Sequence, residues 1–193
     1  MDARAFVFKN RGALLAAPAL LLVAFGKPSA ASAMLGIPLA LAGEAIRCWA
    51  VGYSGTTTRA ASVTAPDLVT AGPYAYVRNP LYVGNFVTAL GFALAFTGRN
   101  DPALRMGLLG VSLGTMLAVY ATIVPHEERF LRTTFGERYD TYAARVPRAI
   151  PLLAAAAPQY GSYDPTVIAS AESRTFVTFG LMLAALAVKA ILR

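Results

Sequence analysis

Apolar residues gather into five runs along the chain, and charged residues lie between and beyond them. The runs lie near residues 12–25, 34–53, 81–97, 103–124 and 176–192. A helix needs roughly 20 residues to cross a hydrocarbon core about 30 Å thick, so the shorter runs require tilt or flanking residues. The pattern predicts an all-α, polytopic transmembrane helical bundle with about five spans.

The composition supports a membrane protein, since 56% of the 193 residues are apolar and 14% are charged. The length suits one domain over residues 1–193, with a carboxyl-terminal span at about 175–192. A cleaved signal peptide is an alternative for the first run, which follows Arg4, Lys9 and Arg11. Because the residues after a cleavage site near Ala33 are again apolar, we expect this run to remain as a span.

The formal net charge is +7, yet no aromatic-rich or helix-turn-helix basic module accompanies it, so no nucleic-acid partner is expected.

The positions of the Arg and Lys residues predict the orientation in the membrane. If the amino terminus is cytoplasmic and the chain has five spans, most of these residues lie on the cytoplasmic side. The cytoplasmic side receives Arg4, Lys9, Arg11, Arg59, Arg78, Arg129, Arg132, Arg138, Arg145, Arg148 and Arg174, and the other side receives Lys27, Arg99, Arg105, Lys189 and Arg193. The positive-inside rule favours this orientation. Frequent Ala and Arg with scarce Lys suggest a bacterial inner membrane.

The second run contains one cysteine and two charged residues, which restrict the kinds of site that the chain can form. Cys48 is the only cysteine, which excludes a disulfide within the chain and a two-cysteine metal site. Glu44 and Arg47 are three residues apart and share a helix face, where they are expected to neutralise each other or to line a cavity. An uncompensated charge at this depth costs about 2.5–3.5 kcal/mol.

The first polar segment, residues 54–80, ends in a loop-to-helix junction. Gly72-Pro73-Tyr74 is a turn signal, and Pro80 disfavours helix before it while being suited to the first turn of the third run. Such a junction presents free backbone N–H groups and the positive end of a helix dipole. We expect it to bind an anionic group, such as a cofactor carboxylate, with Arg78 adding positive charge.

The second polar segment, residues 125–175, opens with Pro125-His126-Glu127-Glu128 and continues with aromatic residues at roughly helical spacing. It predicts an amphipathic interfacial helix with a break at Gly136. The adjacent acids Glu127 and Glu128 are suited to hold cationic or hydroxyl groups. Ordinary solvated acids at a membrane boundary are the alternative.

Residues 68–84, LVTAGPYAYVRNPLYVG, resemble the signature of the isoprenylcysteine carboxyl methyltransferase and phospholipid N-methyltransferase group of membrane enzymes. Residues 126–151, HEERFLRTTFGERYDTYAARVPRAIP, resemble the second signature of that group. Arg47 and Trp49 resemble its usual lead-in, so the motif core covers residues 44–151.

This resemblance implies that S-adenosylmethionine binds at the cytoplasmic face between the two motif segments and that a lipid-like or prenylated small acceptor enters from the bilayer. The residues implied for cofactor binding are Tyr74, Arg78, Asn79, Pro80, Tyr82, Gly84, Glu127, Glu128 and Tyr139. Arg148 and Glu128 are implied as catalytic residues. No metal is implied.

One departure bears on the acceptor, because the family commonly has His where this chain has Asn79. Asparagine does not titrate near neutral pH, which argues against a general base at this position. The substitution favours an acceptor that needs no base, so carboxyl O-methylation of the isoprenylcysteine type is preferred. His126, the only histidine, is an alternative base.

Other functions stay open from the sequence. Within methyltransferases, the alternatives are N-methylation of a phospholipid amine and methylation of a small thiol or phenol. A non-catalytic membrane assembly or transport protein is an alternative of another class. A nicotinamide-dependent enzyme is a further one, although the chain has no Gly-rich dinucleotide fingerprint. The oligomeric state is not readable from the sequence.

Overall fold

The regular structure is helical throughout the part of the chain that the computed structural model describes, residues 3–55, 65–156 and 158–192. The helices are α1 (Ala3–Phe25), α2 (Ala30–Ser54), α3 (Pro80–Phe96), α4 (Pro102–Phe135), α5 (Glu137–Arg145), α6 (Ile168–Ala171) and α7 (Ser173–Ile191). The prediction of an all-α fold is confirmed. Arg59 and Arg193, which the charge asymmetry includes, lie outside the described residues, as do the side chains of Arg4 and Lys9.

All five apolar runs form helices. Of the described helices, α2, α4 and α7 are long and apolar enough to cross a membrane, whereas α3 and the apolar part of α1, residues 10–25, are shorter. Large apolar side chains on these helices are exposed, including Met34 at 78% and Leu181 at 65%. Water-soluble proteins rarely expose such surfaces, so these side chains are suited to contact lipid. The chain is an integral membrane protein.

Contacts within the chain define two compact units. The first, here called the span unit, comprises the described residues of 1–44, 85–123 and 174–193. The second, here called the motif unit, comprises those of 45–84 and 124–173. Helices α2, α3 and α4 each contribute residues to both units. The expectation of one domain over residues 1–193 stays a prediction.

The span unit has an apolar core in which α2 and α3 approach closely. The core includes Leu22, Phe92, Phe96, Leu108 and Met182. At the crossing of α2 and α3, a Cβ atom on Gly91 would overlap the backbone of Gly36 and Ala40. Small residues allow such close backbone contact, which is a main source of helix association in lipid.

Polar contacts join the turn between α1 and α2 to the turn between α3 and α4. The Asn100 side chain accepts from Lys27 N at 2.8 Å and donates to Phe25 O at 2.9 Å. Lys189 Nζ, near the end of α7, donates to Gly26 O at 3.0 Å. These bonds satisfy backbone groups that helix ends leave without partners.

Helix α4 differs from the expectation in one respect. The fourth run and the first part of the predicted interfacial helix form one helix of 34 residues that passes through Pro125. Proline removes one backbone hydrogen bond, but its fixed φ is helical, so a long helix can continue through it. The predicted break at Gly136 is confirmed, because α4 ends at Phe135 and Gly136 has φ +54°.

We expect Gly91→Ala to destabilise the protein by about 1–3 kcal/mol, because the added methyl group forces α2 and α3 apart. Gly110→Ala is the matched control, since a Cβ atom at Gly110 meets nothing within 4 Å. Alanine at that position is expected to be neutral or to stabilise α4 by up to about 1 kcal/mol. Thermal unfolding in detergent measures both, and equal unfolding temperatures for the two variants would contradict the close crossing.

Candidate functional site

Backbone hydrogen bonds hold the two motif segments side by side within the motif unit. Arg78 N donates to Pro147 O, Leu152 N donates to Tyr76 O, and Thr70 N donates to Tyr160 O, each at 2.9 Å. Residues 70–79 therefore run beside residues 147–160. The two motif segments, which are distant in the sequence, are thus joined by backbone hydrogen bonds.

Side chains reinforce this pairing. Asn79 Nδ2 donates to Arg148 O at 3.1 Å, and Tyr142 Oη donates to Tyr74 O at 2.9 Å. The amide of Asn79 thus ties the first motif to the backbone of the second. This contact needs only a neutral donor, which asparagine provides at every physiological pH.

Glu128 joins two arginines, one from each motif. Its residue is 7% exposed, and its carboxylate accepts from Arg148 Nε at 3.1 Å and from a terminal nitrogen of Arg148 at 2.5 Å. A terminal nitrogen of Arg78 lies 3.5 Å from the same carboxylate. One carboxylate facing two guanidinium groups leaves a net positive charge, which suits an anionic ligand.

Glu127, the neighbouring acid, has a different partner. Tyr82 Oη, from the first turn of α3, donates to Glu127 Oε1 at 2.6 Å. Adjacent residues of a helix do not face each other, so the two acids serve different partners. Arg78, Tyr82, Glu127, Glu128 and Arg148 are here called the motif cluster. The structure brings together all five of these sequence-predicted residues.

Tyr74, Tyr139 and Tyr142, three tyrosines of the motif unit, remain protonated at neutral pH, because the pKa of each is raised. Burial raises the pKa of Tyr139, and Glu128 adds to this effect while Arg78 opposes it. Burial also raises the pKa of Tyr142, with a further contribution from Tyr74. These phenols are therefore hydrogen-bond donors rather than bases.

A buried ion pair lies in the same unit. A terminal nitrogen of Arg47 lies 2.8 Å and 2.6 Å from the two carboxylate oxygens of Glu172, which is 0% exposed. The spacing of Glu44 and Arg47 predicts that they share a helix face and neutralise each other, and it contains no signal for Glu172. Charge balance was the only available signal: an arginine inside a span requires an acid, and Glu172 directly precedes the last span.

The remaining predicted residues lie near these groups in the chain. Pro80 begins α3 and is fully buried, and Gly84 is buried one turn later. His126 is partly buried beside Glu127 in sequence. The roles of Pro80 and Gly84 toward a cofactor, and of His126 as a base, stay predictions. Among the described residues, no group of three or more His, Cys, Asp or Glu side chains is arranged to hold a metal ion.

The family model for phospholipid methyltransferases matches residues 31–138, which is more than half of the chain. The match includes the first motif and the part of the second motif that contains both acids. The chain belongs to the phospholipid methyltransferase family.

Individual relatives extend this comparison. The chain is 37% identical over 92 residues to "Protein-S-isoprenylcysteine O-methyltransferase" of Schizosaccharomyces pombe, covering 45% of this chain and 34% of that protein. It is 34% identical over 87 residues to the protein of the same name from Homo sapiens, covering 45% and 28%. It is 32% identical over 121 residues to "Nickel-cobalt-cadmium resistance protein NccN" of Alcaligenes xylosoxydans xylosoxydans, covering 62% and 48%.

The chain spans about half or less of the length of each of these three relatives. No solved structure matches it. Family membership therefore rests on the family model and on the shared motif region.

We expect stability to decrease above pH 10 in a way that depends on Tyr74. Burial raises the pKa of Tyr74 from 10.0 to about 12, although a hydrogen bond with Ser54 opposes the shift. Because the folded chain retains this proton longer, the stabilisation is complete below pH 10 and is lost as the pH rises toward 12. The expected slope is about 1.4 kcal/mol per pH unit.

Tyr74→Phe should remove that part of the alkaline slope, whereas Tyr160→Phe, at an exposed phenol, should retain it. Chemical unfolding in detergent between pH 9 and 12 measures the difference. Identical slopes for the wild-type protein and Tyr74→Phe would show that Tyr74 is not desolvated.

We expect Glu172→Gln to destabilise the protein by about 3–5 kcal/mol, because it removes the buried carboxylate that contacts Arg47 through both oxygens. The double variant Arg47→Met with Glu172→Leu should recover most of this loss, since apolar residues of similar size need no pairing. Glu137→Gln, at an exposed acid of α5, is the control. Thermal unfolding that is the same for Glu172→Gln and Glu137→Gln would contradict a structural role for this ion pair.

Proposed function

We propose that this protein is an integral membrane methyltransferase that uses S-adenosylmethionine to methylate a lipid-like or membrane-partitioned acceptor, most similar to isoprenylcysteine carboxyl O-methylation. The observation that carries this proposal is the contact of Glu128 with Arg78 and Arg148, which joins the two motifs of the family. The isoprenylcysteine O-methyltransferases of yeast and human among its relatives support the same reaction type.

The side chains of the motif cluster fit the charges of this cofactor. A guanidinium group has five N–H donors, so Arg78 can bind the cofactor carboxylate in addition to Glu128. Glu127 accepts hydrogen bonds and suits an ammonium or ribose hydroxyl group. The first turn of α3 adds backbone donors after Pro80. The residues that would hold the cofactor are Tyr74, Arg78, Asn79, Pro80, Tyr82, Gly84, Glu127, Glu128 and Tyr139.

When bound, the cofactor supplies a methyl group on a positively charged sulfur, which an acceptor atom removes by in-line displacement. Arg148 binds and orients the acceptor carboxylate, because its side chain is half-exposed while one edge is fixed by Glu128. Arg78 holds Glu128 from the other side. These contacts position the reacting groups, and proximity accounts for much of the rate enhancement in such a reaction.

The environment of Asn79 supports a carboxylate acceptor over an amine. An amine must lose a proton before it attacks, whereas a carboxylate attacks directly. The side-chain amide of Asn79 donates to a backbone carbonyl and does not titrate. N-methylation of a phospholipid amine is therefore the second candidate. It requires a base elsewhere, and His126, the only histidine of the chain, is the residue proposed for it.

The proposed location is a bacterial inner membrane, with the amino terminus and both motif segments on the cytoplasmic side. Four exposed arginines in the last turns of α4 and in α5 support this orientation under the positive-inside rule. They are Arg129, Arg132, Arg138 and Arg145.

We expect the protein purified in detergent to bind S-adenosylmethionine and S-adenosylhomocysteine with micromolar affinity. Arg78→Ala and Glu127→Ala should each weaken this binding about tenfold or more, as expected for the loss of a charge-assisted hydrogen bond. Arg129→Ala and Glu137→Ala are matched controls that change the same charges at exposed positions. Isothermal titration calorimetry measures all five proteins.

Methyl transfer to a prenylcysteine carboxylate, a phospholipid amine and a small thiol then distinguishes the acceptor classes. Transfer to the amine alone would favour the second candidate. A folded sample that binds neither ligand at millimolar concentration would contradict the methyltransferase proposal and leave a non-catalytic or nicotinamide-dependent membrane protein.

A further inference from the structure

The segment of residues 158–172 follows both motifs and lies outside the residues that the family model matches, yet it contacts the first motif. Thr70 N and Ala71 N donate to Tyr160 O at 2.9 Å and 3.1 Å, and Tyr160 N donates to Thr70 Oγ1 at 2.9 Å. Thr70 and Ala71 are buried directly before the Gly72-Pro73-Tyr74 turn. The segment therefore fixes the backbone that enters this turn.

The same segment also contacts the end of α2. Asp164 N donates to Gly52 O at 2.8 Å, and the ring centroids of Tyr53 and Tyr163 lie 5.4 Å apart. The Tyr53 ring in turn lies against Gly72, because a Cβ atom on this glycine would overlap it. The end of α2, the first motif and this segment are thus in mutual contact within the motif unit.

Glu172 ends the segment and contacts Arg47 of α2. Its two oxygens accept from a terminal nitrogen of Arg47 at 2.8 Å and 2.6 Å, and Glu172 and Arg47 are 0% and 8% exposed. Charge-assisted hydrogen bonds of this kind are short and strong, and burial protects them from screening by salt. The guanidinium group of Arg47 therefore has a fixed position in the motif unit.

Tyr74, in the turn of the first motif, is close to Arg47 and to Glu127. Burial is the main cause that raises the pKa of Tyr74 to about 12, and a hydrogen bond with Ser54 opposes the shift. The charge of Glu127 adds to the shift in this pKa, and the charge of Arg47 opposes it. A charge shifts a pKa in this way when it lies nearby. The Tyr74 hydroxyl group is thus close to the cation that Glu172 contacts and to an acid of the motif cluster.

We infer that Glu172 is a positioning residue of the proposed methyltransferase: it fixes Arg47, and Arg47 orients the Tyr74 hydroxyl group next to Glu127 for cofactor binding. The inference rests on the proposed function and extends the cofactor site to a segment beyond both motifs. Glu172 acts through Arg47. An ion pair that serves stability alone is the competing explanation.

The double variant Arg47→Met with Glu172→Leu separates the two explanations, because it removes both charges and keeps apolar side chains of similar size. Its unfolding temperature should be close to that of the wild-type protein, while its affinity for S-adenosylhomocysteine should fall about tenfold, as expected for a lost hydrogen bond to a charged group. Thermal unfolding and isothermal titration calorimetry in detergent measure the two properties. An ion pair that serves stability alone would give wild-type values of both.

A spectroscopic readout at Tyr74 is independent of the cofactor. In protein labelled with 3-fluorotyrosine, the fluorine NMR signal that Tyr74→Phe removes belongs to Tyr74. This signal should shift in the double variant, because the ring loses the nearby charge of Arg47.

The matched control is the double variant Arg138→Met with Asp67→Leu, which removes an exposed ion pair of the same unit. Exposed ion pairs contribute little, so the control should change neither the affinity nor the Tyr74 signal. Gel filtration in detergent establishes that each variant is folded.

Glu172→Asp replaces the double variant if the latter does not fold. It keeps the negative charge and shortens the side chain by one methylene group, so Arg47 must move to retain the contact. The affinity for S-adenosylhomocysteine should then fall about threefold or more, because the hydrogen bonds to Arg47 are weakened but not lost.

Wild-type affinity or an unshifted Tyr74 signal in the folded double variant would overturn the inference, as would wild-type affinity in Glu172→Asp where that variant takes its place. Each result leaves the proposed function intact if the wild-type protein binds S-adenosylhomocysteine. Absence of binding by the folded wild-type protein contradicts the proposed function separately. The Tyr74 signal then still decides whether Arg47 and Glu172 position this residue.

Discussion

The candidate site depends on one interaction, the contact of the Glu128 carboxylate with guanidinium groups from both motifs. Arg78 comes from the loop before α3, and Arg148 comes from the loop after α5. Because a buried carboxylate needs charged or hydrogen-bonding partners, the fold that satisfies Glu128 also brings the two loops together. The backbone hydrogen bonds between residues 70–79 and 147–160 then fix their register.

In a membrane, polar side chains inside the protein need polar or charged partners from the same chain, and several described residues have them. Arg47 contacts Glu172, which is fully buried, and Lys189 donates to backbone carbonyls at the end of α1. Lipid cannot replace a lost hydrogen bond as water can, so each of these contacts also restricts where its helix can lie. Polar contacts specify the arrangement, and small residues such as Gly36 and Gly91 allow the helices to approach.

Local rules predicted much of this fold. The apolar runs predict helices α1, α2, α3, α4 and α7. Pro80 predicts the start of α3, and Gly136 predicts the break after α4. Pairing between distant residues was beyond these rules, because hydrophobic periodicity describes one helix at a time. Arg47 and Glu172 are 125 residues apart and follow no shared spacing. The motif residues were found by family resemblance, but the sequence did not reveal that Arg78 and Arg148 share Glu128 while Glu127 contacts Tyr82.

The charges of the motif cluster also bear on the choice between the two proposed acceptor classes. Glu127 is held by Tyr82, and Glu128 offsets only one of the two arginines that contact it, so the surroundings of Arg78 and Arg148 attract an anion and disfavour an ammonium group. A neutral amine would escape this repulsion, but its formation requires a base, and the amide of Asn79 instead donates to the backbone of the second motif. A carboxylate gains from the arginines and needs no base, so electrostatics and protonation chemistry favour the same acceptor.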